Sequence, residues 1–247
     1  MENKGYCNIS CIAVRKEPSH RAEMVTQLIY GEQYSVIEKV GLDWLKIVCD
    51  FDNYKGFIPS NQFHAFVYEN KPLIYTGDFA WDEINNYLPK GAEIYTPETI
   101  VDIEPYELFD FTTQHLSREQ IIENIFVQST SMINTPYLWG GRTPWGIDCS
   151  GFTQIVFKVC GINLPRDSSQ QQKEGFEIAF DLINRGDLAF FCNDNGEIVH
   201  TGIVFDNNSI IHCSGFVKID NLKDDGIYNH FTNLKTHHLH SIKRLLT

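Results

Sequence analysis

The stretch Trp145–Gly161, "WGIDCSGFTQIVFKVCG", decides the fold of the second half of the chain. Phe152, Ile155, Val156, Val159 and Cys160 recur at helical spacing. One face of a helix that begins near Cys149 is therefore apolar and must be covered. Gly161 supplies the positive-φ stop that ends such a helix. Asp148 stands where an N-cap is wanted. Cys149 then falls in the first turn, where unpaired backbone N–H groups and the helix dipole favour an anion. A thiolate is such an anion, and a cysteine so placed near a histidine drops from a pKa of about 8.5 into the range of roughly 3.5–7.5. The expectation is a nucleophilic Cys149. The charge of Asp148 opposes that thiolate, and the conflict points to a further use of its carboxylate, toward a cationic group.

A nucleophile needs a base, and His200 in "EIVHTGIVF" is the candidate. With Asp206, Asn207 and Asn208 read as a hairpin loop, Phe205 pairs with Ser209 and His200 with Ser214. His212 then lies on the same face, diagonal to His200. Diagonal neighbours are roughly 7–8 Å apart at the backbone, within reach of an imidazole. His212 is thus expected to orient His200 as the third member of a triad. His237, His238 and His240 in "THHLH" are set aside: alternation leaves only His238 and His240 on one face, with no carboxylate or cysteine at ligand spacing. No metal or cofactor is expected. Tyr137, Trp139 and Trp145, among glycines and prolines, read as the walls of a pocket ahead of Cys149.

Outward from this centre, "LSREQIIENIFVQSTSMINTPY" carries Ile122, Ile125, Phe126, Ser129, Met132 and Ile133 on one helical face. Ser117 and Gln120 form a capping box, and Pro136 is the stop. Downstream, "GDLAFFC", "IVHTGIVF", "SIIHCSG" and "HHLHSIKRLL" read as strands. Helices followed by an antiparallel sheet make this half α+β, a domain over residues 116–247. Residues 1–65, in "CNISCIAVRK", "QLIYGEQYSVIEKVG", "DWLKIVCDFDN" and "YKGFIPSNQF", read as short strands of a small barrel. Residues 66–115, with one short helical stretch among Pro and Gly stops, read as a connector or second small subdomain.

The chain of 247 residues has 20 Lys and Arg against 32 Asp and Glu, a formal charge of −12. Such a field repels phosphate backbones and anionic membranes, which excludes nucleic acid and membrane surfaces as expected partners. No apolar run approaches the roughly 18 residues of a spanning helix, and the start "MENKGYCNIS" lacks a secretory pattern, so a cytoplasmic monomer is expected. The seven cysteines show no CxxC pair and no zinc-finger spacing, and apart from Cys149 they read as small buried hydrophobes.

The motifs "YLWGG", "DCSGF", "LPRDSSQQ", "RGDLAFF", "VHTGIVF" and "IIHCSG", in this order, make the region from about Ser117 to Thr247 resemble the NlpC/P60 family of papain-like cysteine peptidases. The resemblance implies Cys149 as nucleophile, His200 as base and His212 as the third polar residue. The segment "AEMVTQLIYGEQYSVIEKVGLDWLKIVCDFDNYKGFIP" looks like a bacterial SH3 domain, packed on the catalytic domain. The combination is similar to the γ-D-glutamyl-L-diamino-acid endopeptidases, the dipeptidyl-peptidase VI group. These cut between D-Glu and L-Lys or meso-diaminopimelate in murein stem peptides with a free N-terminal L-Ala, the SH3 domain closing one end of the cleft. By that resemblance Asp148 and Ser150 flank the nucleophile, Tyr54 in "NYKGF" matches a "YxGW" pattern with Phe57 in place of Trp, and Glu23 is a further candidate for the amine. Hydrolysis of recycled wall peptides is the leading expectation. A broader endopeptidase or amidase on intact wall, and a non-catalytic wall-fragment binding module, are the alternatives.

Overall fold

The structure, a computed structural model, describes residues 3–66, 68–78, 80–101, 107–111 and 116–246. The chain forms two compact units, one of Met1–His115 with Trp139–Pro144, the other of Leu116–Leu138 with Trp145–Thr247. The described residues of the stretch 66–115 cluster with the first unit, and a hexapeptide from the middle of the chain joins them.

In the first unit, β1 (Lys4–Tyr6), β2 (Cys11–Arg15), β3 (Met24–Ile29), β4 (Gln33–Val40), β5 (Trp44–Cys49) and β6 (Lys55–Pro59) form one antiparallel sheet in the order β1-β4-β5-β6-β2-β3. Alternation along the strands turns Ile12, Val14, Leu28, Tyr34, Ile47 and Ile58 inward, where all are fully buried. The run Gln27–Gly41 is broken into β3 and β4 at Gly31, whose φ is +84° and where an added Cβ would lie 1.9 Å from the Glu93 carbonyl oxygen. Only glycine fits there. In the stretch 66–115, parts of which lie outside the described residues, short strands Leu73–Tyr75, Glu93–Ile94 and Leu108–Phe109 pair around a core of Tyr75, Ala80, Leu88, Ala92 and Ile94. The described residues of that stretch hold no α-helix, and Pro97–Thr99 form a 3-10 turn.

Trp139–Pro144 is fastened into this unit by Arg142. Its guanidinium makes paired bonds to Glu32 at 2.7 and 2.8 Å and a third to the Gln27 carbonyl at 2.7 Å. Its backbone N–H donates to the Gln27 amide oxygen at 2.7 Å.

The second unit opens with α1 (Arg118–Ser131), started by the Ser117–Gln120 capping box as expected. It ends at Met132 rather than Pro136, because Asn134 takes a φ of +72° and turns the chain first. Then follow α2 (Cys149–Lys158) and α3 (Ser168–Gln171). The strands are β7 (Phe176–Glu177), β8 (Leu188–Cys192), β9 (Ile198–Asp206), β10 (Ser209–Ser214), β11 (Phe216–Lys223), β12 (Gly226–Tyr228) and β13 (Lys235–Arg244). They form an antiparallel sheet in the order β7-β13-β8-β9-β10-β11-β12, and a further pairing of β12 with β13 closes six of them into a ring. Ala189, Phe191, Val204, Ile210, Leu222, Ile227 and Ile242 make its core. The helix α2 packs on β9 and β10. The fold is α+β, with a small barrel in the N-terminal unit.

Candidate active site

Cys149 is the first residue of α2, a helix buried along its whole length. The N-cap is made as expected: the Gly151 N–H donates to Asp148 Oδ1 at 2.7 Å. The expected thiolate is not. Cys149 is 7% exposed. Burial first, then the Asp148 carboxylate, push its thiol up to about 12, against the pull of hydrogen bonding at the Thr201 and Ser150 backbone and of the Arg166 charge. Helix position alone does not overcome desolvation and an adjacent anion.

The cation that Asp148 calls for lies within the chain. Arg166 Nη2 and Nη1 donate to Asp148 Oδ2 and Oδ1 at 2.6 and 3.0 Å, and Nη1 also donates to Ser150 Oγ at 2.9 Å. Both partners are buried, with side chains 1% and 8% exposed. The Asp148 carboxylate is therefore engaged by Arg166 and the start of α2, so a cation for it is already supplied within the chain. Arg166 was missed because it sits on an irregular segment before α3, where no periodicity ties it to Asp148.

His200 and His212 stand on the adjacent strands β9 and β10, where Gly202 pairs with His212. His200 Nε2 and His212 Nδ1 are 2.8 Å apart. The bond crosses over Gly202, where an added Cβ would lie 2.7 Å from that of His212. A glycine there is what lets the two rings meet. The turn is tighter than expected: Asp206 pairs with Ser209, leaving Asn207 and Asn208 at the tip. An irregularity between Val204 and Asp206 then restores the register that sets His200 diagonal to His212.

Two further residues complete this group. His212 Nε2 lies 3.1 Å from Asp220 Oδ2, on β11. His237, on β13, stacks on His200 with ring centroids 4.2 Å apart and planes at 23°. In "THHLH", His238 and His240 do share a face, but it is the exposed one, and His237 alone turns inward. Burial, followed by the charge of His212, holds His237 down to about 4. Burial likewise lowers His200 and His212.

Nitrogens of His200, His212 and His237 lie within 4.8 Å of one another, a grouping that offers three metal ligands. Its geometry suits a proton better. Tetrahedral Zn–N bonds of about 2.0–2.1 Å set ligand nitrogens about 3.3 Å apart. The 2.8 Å between His200 and His212 is a hydrogen bond.

Of the residues expected around the nucleophile, Ser150 is buried beside Asp148. Tyr137 is half-buried in the same unit, its phenol raised by burial and by the charges of Cys149 and Asp148, so the hydroxyl keeps its proton as a donor. Trp145 is 49% exposed. Glu23 and Trp139 come together in the first unit. Trp139 Nε1–H donates to Glu23 Oε1 at 2.8 Å and Lys16 Nζ to Glu23 Oε2 at 3.2 Å, and these bonds hold the carboxyl below its usual range. Tyr54 packs half-buried against the core of that unit. None of the seven cysteines forms a disulfide.

Residues 134–236 match the family model described as "NlpC/P60 family", and residues 14–63 that described as "Bacterial dipeptidyl-peptidase Sh3 domain". A gamma-D-glutamyl-L-lysine dipeptidyl-peptidase of Bacillus cereus is 25% identical over 238 residues, 77% of this chain and 67% of its own length. The probable endopeptidase NlpC of Escherichia coli is 36% identical over 110 residues, 44% of this chain and 71% of its own length. The crystal structure of an NlpC/P60 family protein from Bacillus cereus shares the fold, with a TM-score of 0.76 at 20% identity over 99% of this chain and 100% of that one. The matched region encloses Cys149, His200 and His212, and the chain belongs to the NlpC/P60 family, carried here with an N-terminal bacterial SH3 domain.

Proposed function

We propose that this protein is a cysteine peptidase that hydrolyses the amide bond between γ-D-Glu and a diamino acid, L-Lys or meso-diaminopimelate, in released murein peptides with a free N-terminal L-Ala. The observation that carries the reading is the 2.8 Å bond between His200 and His212, on the strand whose Thr201 backbone meets Cys149 at the start of α2. The name of the Bacillus cereus relative, a dipeptidyl-peptidase acting at γ-D-glutamyl-L-lysine, supports both the bond and the free amine. The acidic balance of the chain and the small peptide substrate support a place in cytoplasmic recycling.

In this reading the resting pair is neutral. The Cys149 proton passes to His200 Nδ1 as the sulfur attacks the carbonyl carbon. The oxyanion is held by a backbone N–H at the start of α2, and the Tyr137 hydroxyl is a second donor. When the tetrahedral adduct collapses, His200 gives its proton to the departing amine of the diamino acid. Water, deprotonated by His200, then splits the thioester and releases L-Ala-D-Glu.

The test is mass spectrometry of L-Ala-γ-D-Glu-L-Lys and its N-acetylated form after incubation with the protein. The free peptide is expected to yield L-Ala-D-Glu and lysine, and acetylation, which removes the charge and donors of the ammonium, to slow cleavage at least about a hundredfold. Cys149→Ala should abolish cleavage in a folded protein. No cleavage of either peptide would sink the reading, and equal rates would move it to a broader endopeptidase.

A further inference from the structure

We propose that Asp220 is a positioning residue for this site: its carboxylate fixes which nitrogen of His212 carries a proton, and through His212 leaves His200 Nδ1 bare to receive the Cys149 proton. The inference rests on the reading of Cys149 and His200 as nucleophile and base.

The proton positions are set outward from Asp220, which is 2% exposed. Oδ1 accepts the His230 backbone N–H at 2.8 Å, and Oδ2 faces His212 Nε2 at 3.1 Å and Lys218 Nζ at 3.4 Å. Burial alone would raise the carboxyl, but the bonds from His212 and the His230 N–H, with the Lys218 charge, bring it down to about 2. Asp220 is therefore ionised at neutral pH and can only accept. His212 Nε2 must then carry the hydrogen. Burial keeps His212 from holding a second proton, so its Nδ1 is bare. That nitrogen lies 2.8 Å from His200 Nε2, a distance at which two bare nitrogens repel, so His200 Nε2 is the donor. Burial and the neighbouring His212, His237 and Lys218 keep His200 neutral as well. Its one proton is committed to Nε2, and Nδ1 is free.

Asparagine reverses this polarity without changing the shape of the side chain. With its oxygen kept on the His230 N–H, its amide nitrogen donates to His212 Nε2. His212 then carries its proton on Nδ1, His200 Nε2 must accept, and the His200 proton moves to Nδ1. The base is lost while the packing remains.

The experiment is ¹⁵N NMR of the histidines in the intact protein at neutral pH, with kinetics of Asp220→Asn and Asp220→Glu on L-Ala-γ-D-Glu-L-Lys. The unaltered protein should show His212 protonated at Nε2 and His200 at Nε2. Asp220→Asn should invert both and lower kcat at least about a hundredfold with little change in KM, as expected when a base is held in the wrong tautomer. Asp220→Glu, which keeps an anionic acceptor, should restore at least about a tenth of the activity. His212 protonated at Nδ1 in the unaltered protein overturns the inference, even if the Asn variant fails to fold. A folded Asp220→Asn with unchanged kcat overturns it too. Full activity in Cys149→Ala or His200→Ala would instead overturn the catalytic reading, leaving the proton assignment to the spectrum.

Discussion

The sheets of the two units enclose different interiors. In the first, Ile12, Val14, Leu28, Ile47 and Ile58 meet Cys7 and Cys49, whose thiols burial pushes well up, so this apolar cluster gains no charge in acid. In the second, the apolar core runs into a row of titratable groups. Along β9 the face of Val204 continues to His200, along β10 that of Ile210 to His212, and along β11 that of Leu222 to Asp220. Strand alternation alone places these groups, and the hydrogen bonds they make to one another are what let them stay buried. A barrel interior becomes acid–base chemistry by polar substitution at steps of two, provided each new group meets a partner.

The widest gap between the two interiors should open in acid. His200, His212 and His237 all have folded pKa values below the unfolded value of about 6.5, so below that pH the unfolded state binds more protons and stability falls. Each imidazole contributes at most about 1.4 kcal/mol per pH unit, about 4 kcal/mol for the three. Hydrogen exchange followed by mass spectrometry from pH 7 to pH 5 should show β9, β10 and β13 losing protection while β3, β4 and β5 keep theirs. Equal losses would break the comparison.

Two bidentate arginine–carboxylate pairs are almost fully buried among the described residues, Arg142 with Glu32 in the first unit and Arg166 with Asp148 in the second. Replacing either arginine by methionine leaves a buried carboxylate unpaired and should destabilise its own unit by about 3–5 kcal/mol in denaturant titration. The variants should part at Cys149. Arg166→Met removes a charge that lowers the thiol, so alkylation by iodoacetamide at fixed pH slows. Asp148→Asn removes a charge that raises it, so alkylation quickens. Arg142→Met should leave that rate as it was.

A smaller contrast concerns two glycines. An added Cβ would lie 2.4 Å from Val14 Cγ1 at Gly56 and 2.7 Å from His212 Cβ at Gly202. Alanine at either site should destabilise by about 1–3 kcal/mol. Peptide hydrolysis per folded molecule should survive in Gly56→Ala and collapse in Gly202→Ala, where the His200–His212 bond is pushed apart. Equal retention in both would show that the bond is dispensable.

What was legible in the sequence was local. The cap at Asp148, the stop at Gly161 and the diagonal of His200 and His212 follow from spacing within one helix or one hairpin. Arg166 was not legible, because the segment that brings it back to Asp148 has no period to read. Asp220 needed a second hairpin, turned at Gly215, to be counted through before it fell diagonal to His212. His237 was lost for another reason. Alternation divided "THHLH" correctly, but which side of β13 faces the core depends on its pairing with β8 and β12, which is irregular at Phe190–Phe191 and at Ile227–Tyr228.

The β9–β10 hairpin also has a kinetic consequence. His200 and His212 are 12 residues apart, so their bond is a local contact. Hairpins of this kind form in about 1–10 μs. Cys149 reaches the Thr201 backbone only after α2, α3 and β8 have been brought together, a distant closure that follows more slowly. By contact order the imidazole pair is expected to meet before the thiol arrives, which pulsed hydrogen exchange comparing β9 and β10 with α2 during refolding would check. On that order a partly folded molecule carries its proton relay before its nucleophile is in place, and peptide hydrolysis is expected only once the second unit is fully packed.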